Sequence, residues 1–150
     1  MEYITETFLP YARILTPLLI EGLQITLYVS AAAFVLSTIL GAVLAVIQHF
    51  KVKGLAWLVK LYISYFRGTP LLIQLFLFYY GLPMVFDVMK QCPKVLALII
   101  CLALNSAAYI SEAIRGAIDS VEQGQYEASL AFGMTRYQMM TRIVLPQAAV

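Results

Sequence analysis

The sequence predicts an all-α membrane protein: a transmembrane helix bundle followed by helices that lie at the membrane surface. Three observations carry this. Of the 150 residues, 62% are hydrophobic and only 12% are charged, about half the charged share of a soluble domain. Charge-free runs are long enough to cross a bilayer. After Ser111 the character changes, and charges mix with short apolar stretches. This balance excludes an ordinary water-soluble fold and a disordered chain. A formal net charge of +2 gives no footing for a nucleic-acid binder.

Three spans are expected. The first, about 20–48, rests on Gly22 to Gln48, which holds no charged residue. At about 1.5 Å per residue this run exceeds a hydrocarbon core of roughly 30 Å. The second, about 56–82, joins Leu55–Phe66, interrupted only by Lys60, to the uncharged Gly68–Phe86. The third, about 94–113, is built on Val95–Ser111 and borrows Glu112 and Ala113. Backbone N–H and C=O groups in hydrocarbon need internal partners, so each run must be helical. Between the spans lie a basic connection, His49 to Gly54, and a proline-bearing one, Gly81 to Pro93.

Lys51, Lys53, Lys60, Arg115, Arg136 and Arg142 fall on one side of this topology, and Arg13, Lys90 and Lys94 on the other. Basic residues favour the cytoplasm, so the N-terminus is expected outside and the segment from 114 onward inside. Glu2 and Glu6 stand where a cleaved secretory signal would carry positive charge, so no such signal is expected. Cys92 and Cys101 are too few for a disulfide scaffold. His49, the single histidine, is flanked by Lys51 and Lys53 and reads as solvated. No metal or cofactor is expected.

Polar residues inside the spans are the candidate functional groups. In the first span Ala33, Ser37, Gly41 and Ala45 form a small-residue stripe. It fits close helix packing or simply the abundance of alanine in such helices. In the second, Arg67-Gly68-Thr69-Pro70 is a helix break, because Pro70 removes an N–H and disfavours helical geometry at Thr69. Broken helices at membrane depth line cavities. Arg67 offers forked donors suited to a carboxylate, and Gln74 follows two turns on. In the third, Asn105, Tyr109 and Glu112 share a face beside the small Ala103, Ala107 and Ser111. A polar amide and a carboxylate must face protein or water there. A substrate pathway and a structural hydrogen-bond pair between helices both satisfy that demand. For Arg67, snorkelling to headgroups or pairing with Glu112 fits as well as a substrate contact.

The segment about 114–146 reads as helix, glycine turn, helix. Ser120 to Gln123 fits a weak capping box, Gly133 is a natural stop, and Thr135 to Gln138 fits a second box. The second helix is expected to place Tyr137, Met140 and Val144 on one face, with Pro146 near its end. Acids at Glu122 and Glu127 fit a docking site for a soluble partner better than a lipid anchor.

Glu127-Ala128-Ser129, then Gly133, then Ile143-Val144-Leu145-Pro146 resembles the EAA motif of bacterial ABC importer permeases, with Ser129 the one small-for-small departure. Phe66-Arg67-Gly68-Thr69-Pro70-Leu71-Leu72-Ile73-Gln74-Leu75, Ala108 to Arg115, and Gly124 to Ala128 are similar to the polar amino-acid subfamily, the histidine, arginine, glutamine, glutamate, cystine and opine type. The similarity runs from about Glu21 to the last residue. It implies a membrane permease subunit with five or so helices, two of them beyond Val150. It also implies two copies of an ABC ATPase, a second permease subunit as homo- or heterodimer, and an extracytoplasmic amino-acid-binding protein, in the lipid of a bacterial inner membrane. By position, Tyr126, Glu127, Ala128, Gly133 and Arg136 are the expected ATPase-coupling residues. Arg67, Gln74, Asn105, Tyr109 and Glu112 are the candidate substrate contacts. No GxxxxGK[ST] phosphate loop is present, so the subunit is not expected to be an enzyme. The alternative is an ATP-independent channel or secondary carrier.

Overall fold

A computed structural model describes residues 9–149, and side chains from Tyr11 onward. Glu2, Glu6 and Val150 lie outside the described residues. The elements run α1 (Leu9–His49), α2 (Leu55–Gly68), α3 (Leu71–Phe76), a π-turn (Leu77–Gly81), α4 (Leu82–Val85), α5 (Asp87–Lys90), α6 (Lys94–Asp119), α7 (Gln123–Ala131), α8 (Arg136–Met139), a second π-turn (Met140–Val144) and α9 (Leu145–Ala148). No strand occurs among the described residues.

Helix α1 is longer than its uncharged run. It begins at Leu9 and carries Arg13, Pro17 and Glu21 inside it, giving a rod of about 60 Å. The basis for its partnership with α6 is steric. Ala33, Ser37, Gly41 and Ala45 are buried, and they meet α6 where Ala103, Ala107 and Ser111 are also buried. A β-carbon added at Gly41 would lie 2.7 Å from Ile110 Cγ2 and 3.2 Å from the Ala107 carbonyl oxygen. The two small stripes thus bring the backbones together, which is how helices associate without a hydrophobic driving force. Hydroxyls on these faces bond back to their own helices: Ser37 to the Phe34 carbonyl at 2.9 Å and Ser111 to that of Ala108 at 2.9 Å.

The order of contacts makes α1 and α6 parallel. Gly41 faces Ala107 and Ile110, and Gln48 reaches Glu112. Helix α2 runs back against both, packing Val59, Ile63 and Phe66 on Leu44, Ala107 and Ala108. The Tyr62 hydroxyl donates to the Leu104 carbonyl across this seam. Large apolar side chains such as Leu19, Leu27, Phe34 and Ile39 on α1 point outward, as they would toward hydrocarbon.

The second apolar region is bent. Residues Leu55–Gly68 and Leu71–Val85 are two helical runs meeting at 105°. The break falls at the Gly68-Thr69-Pro70 sequence, and Thr69 is extended (φ −119°, ψ 142°), as a residue before proline prefers.

Beyond α6, a small separate core of Ile118, Met139 and Val144, flanked by Ile114, Tyr126 and Ala148, holds the surface helices against the end of α6. Two expectations need correcting here. The Ser120 capping box does not form. Helix α6 continues to Asp119, so the Ser120 hydroxyl donates back to the Ala117 carbonyl, and α7 starts after Glu122 with no side-chain cap. The expected shared face of Tyr137, Met140 and Val144 is also split. Tyr137 is 78% exposed, whereas Met139 and Val144 are buried. The π-turn from Met140 to Val144 explains this, because its wider turn aligns residues five apart. The Thr135 box does form, with Gln138 N–H donating to Thr135 Oγ1 at 3.3 Å and Thr135 N–H donating to Gln138 Oε1 at 2.9 Å.

Substituting Gly41→Val should overlap Ile110 and cost about 2 kcal/mol of stability, seen as a lowered melting temperature of the purified protein. Gly22→Val, where nothing lies within 4 Å of the added β-carbon, should leave it unchanged.

Candidate functional site

The site begins with a missing hydrogen bond. In an unbroken helix the Phe66 carbonyl would accept from the N–H four residues on, but that residue is Pro70. An orphaned carbonyl inside a membrane bundle is costly. Two side chains supply the lost donor. Gln74 Nε2 donates to Phe66 O at 3.0 Å, and Asn105 Nδ2 donates to the same oxygen at 3.4 Å. Gln74 Nε2 also lies 3.1 Å from Thr69 O and 2.7 Å from Thr69 Oγ1. Asn105 Nδ2 closes the group on Gln74 Oε1 at 2.9 Å. The Thr69 hydroxyl meanwhile donates to the Tyr65 carbonyl at 2.7 Å. Gln74 is only 1% exposed. Both amides are therefore engaged with the broken backbone and with each other, the hydrogen-bond pair between helices that the sequence left open.

Arg67, Tyr109 and Glu112 form a second group, one that is partly open. Glu112 Oε2 accepts from Arg67 Nη1 at 3.3 Å and from Arg115 Nη2 at 2.9 Å. Its Oε1 accepts from Arg115 Nε at 3.1 Å and Gln48 Nε2 at 3.4 Å. Arg115 thus forks onto Glu112 and bonds Asp119 Oδ2 at 2.7 Å with its other arm. The Arg67 guanidinium lies 5.6 Å from the Tyr109 ring centroid, a cation–π distance. Arg67 lies in the last turn of α2, where a helix C-terminus favours positive charge. The five candidate residues therefore separate into a hydrogen-bonded amide pair, buried Gln74 with half-buried Asn105, and a charged trio of exposed Arg67 and Tyr109 with half-buried Glu112. Arg115 and Gln48 complete the trio's charge network and were not among the candidates. The spacing of Glu112, Arg115 and Asp119 along one helix face was the signal that could have found Arg115.

At the surface segment, Glu127, Ala128, Gly133 and Arg136 are exposed and Ser129 is buried, its hydroxyl donating to Gln125 O at 2.6 Å. Gly133 has φ +74°. Its N–H donates to Leu130 O at 2.9 Å, and the Met134 N–H donates to Ser129 O at 3.1 Å. This is a Schellman close, in which the left-handed residue is glycine because a β-carbon is disfavoured there. Tyr126 turns inward, its hydroxyl donating to Ile118 O at 3.2 Å. Burial, with help from the Asp119 charge, pushes its phenol above the usual range, so it stays protonated and donating. Phe132 is 85% exposed and Leu130 also faces out. Together with Tyr137 they give the glycine turn an apolar rim. Sequence reasoning missed Leu130 and Phe132, since an outward apolar residue reads the same as an inward one until the helix is oriented.

These features define a class: a polytopic helical membrane subunit with a broken helix in its core and an exposed helix–glycine–helix at one end. Residues 37–150 match the family described as "Binding-protein-dependent transport system inner membrane component". The chain belongs to this family and is an integral inner-membrane protein. It is 50% identical to "Probable amino-acid permease protein YxeN" of Bacillus subtilis (strain 168), over 88% of this chain and 59% of that protein. It is 48% identical to "Probable amino-acid ABC transporter permease protein PatM" of Vibrio harveyi, over 92% and 62%. Among solved structures it is similar to "Crystal structure of an amino acid ABC transporter with histidines", with TM-score 0.84 and 36% identity over 93% of this chain and 64% of that one. The chain thus spans about three fifths of the length of these curated relatives.

Replacing Gln74 by Leu should leave the Thr69 carbonyl without its side-chain donor and the Phe66 carbonyl with the longer bond from Asn105 alone. The expected cost is about 1–3 kcal/mol, measured as a lowered thermal midpoint in detergent. Exposed Gln91→Leu should cost nothing measurable.

Proposed function

We propose that this chain is permease sequence of an ATP-driven importer of polar amino acids. Two copies of an ABC ATPase, a second permease subunit and an extracytoplasmic binding protein complete the importer. The observation that carries the reading is the surface segment. Tyr126, Met139 and Val144 clamp it to the end of α6 while Glu127, Ala128, Gly133 and Arg136 stay exposed, beside the apolar rim of Phe132 and Tyr137. Such a surface suits a cleft in a separate motor subunit. The names of the relatives, amino-acid permeases among them, support the cargo class.

In this reading α1, the bent pair α2–α4 and α6 supply three crossings within about 20–48, 56–82 and 94–113, and the coupling loop occupies about 114–146. The basic 49–54 connection and the surface segment share one end of the bundle, where His49 and Lys51 line a cleft with Asp119. That supports a cytoplasmic end there and an N-terminus outside. An α-amino acid is itself a carboxylate–ammonium pair, so it can insert between Arg67 and Glu112 and satisfy both charges. Tyr109 would border that position. Gln74 and Asn105 would serve it by fixing the break that presents Arg67.

ATP dependence of uptake in vesicles holding the assembled transporter tests the reading against an ATP-independent carrier. Uptake should vanish without ATP. Undiminished uptake in its absence refutes the importer. Arg67→Ala should reduce ATP-driven uptake at least a hundredfold while the ATPase still co-purifies. Gly133→Val forces a β-branched residue into φ +74°, strained by about 1–2 kcal/mol. It should cut substrate-stimulated ATP hydrolysis severalfold, read by phosphate release.

A further inference from the structure

At the end of the bundle that carries the surface segment, α1, α2 and α6 enclose an open cleft of about 800 Å³. Its lining is charged, and the charges do not balance. Two acids, Glu112 and Asp119, face it, and both are already paired with Arg115, Glu112 with Arg67 as well. Lys51 and Lys60 line the same cleft, and neither has an ion-pair partner among the described residues. His49 lines the cleft with them, and Lys53 follows Lys51 in the same connection. The cleft is therefore a concave site with uncompensated positive charge.

What lies beside it selects the ligand. From the cleft, α2 presents an exposed apolar face: Trp57, Leu58, Leu61 and Tyr65 are all outward. Phe50 and Val52 of the connection are exposed too. A soluble anion would need only the lysines. A molecule with a phosphate at one end and acyl chains at the other would use both surfaces. Tryptophan beside lysine at a helix end is also the side-chain pairing of the headgroup level. Basic pockets between helices bind anionic headgroups in this way. We infer that the cleft lined by Lys51 and Lys60 is a binding site for the phosphate of an anionic phospholipid, whose acyl chain lies along Trp57 and Leu61. The inference requires only that this end of the bundle lie at a bilayer surface, and it stands apart from what is transported.

The chain has a single tryptophan, and it borders the site. The assembled transporter is placed in phosphatidylcholine vesicles containing a minor fraction of phosphatidylglycerol, with bromine on the acyl chains of one lipid or the other. The fluorescence of Trp57, taken as the difference between wild type and Trp57→Phe, is then quenched by whichever lipid adjoins it. Brominated phosphatidylglycerol should quench as though enriched roughly fivefold for each lysine engaged. Lys51→Gln with Lys60→Gln should reduce that preference to none, while Lys51→Arg with Lys60→Arg should retain it. Lys94→Gln, at the opposite end of α6, should not change it. Equal quenching by both lipids overturns the site. Quenching by neither places this face against protein and also overturns it. Loss of the preference on adding inorganic phosphate assigns the cleft to a soluble anion and overturns the lipid.

Discussion

The architecture depends on one carbonyl. Pro70 leaves Phe66 O without its helical donor, and a membrane bundle offers no water to replace it. The replacement comes from Gln74, after the break, and from Asn105 on α6. The bend is thereby closed on itself and tied to a neighbouring helix at the same point. Everything beyond it is aimed by that tie: the Leu71–Val85 run leaves at 105° from α2, and Arg67, one residue after Phe66, is delivered to Glu112 and Tyr109.

Helix α6 connects the parts. Its Asn105 holds the break, its Glu112 holds Arg67, and its Ile118 anchors the surface segment through Tyr126 and the Met139–Val144 core. Asn105 and Ile118 are separated by about 20 Å of one continuous helix. Its other side is locked to α1 by small residues at near-backbone distance. A force on the surface segment therefore reaches a rigid rod rather than a loop. In the proposed importer this rod carries a motion of the motor to the broken helix and its ion pair.

Much of this was legible in the sequence because it follows from local chemistry. Gly68 and Pro70 mark the break, Gly133 marks the left-handed turn, Thr135 and Gln138 mark the capping box, and the small stripe marks the α1–α6 seam. What stayed hidden depends on partners in space. The cost of a polar amide facing lipid turned Asn105 toward protein or water, but the orphaned Phe66 carbonyl that occupies Gln74 and Asn105 is defined by tertiary geometry. The same holds for Glu112, whose choice of Arg115, Arg67 and Gln48 combines one local partner with two distant ones. The π-turn at Met140–Val144 moved the buried face away from Tyr137, since regular helical periodicity assumes that no such turn intervenes. Ser120 had two helices to serve, and the longer α6 took its hydroxyl.

A double-mutant cycle on Gln74 and Asn105 tests the central constraint most directly, with Gln74→Leu, Asn105→Leu and the pair compared by thermal stability of the purified protein. If both amides act on one carbonyl and on each other, the second substitution costs much less than it does alone, and the coupling exceeds about 1 kcal/mol. Costs that simply add would contradict the account.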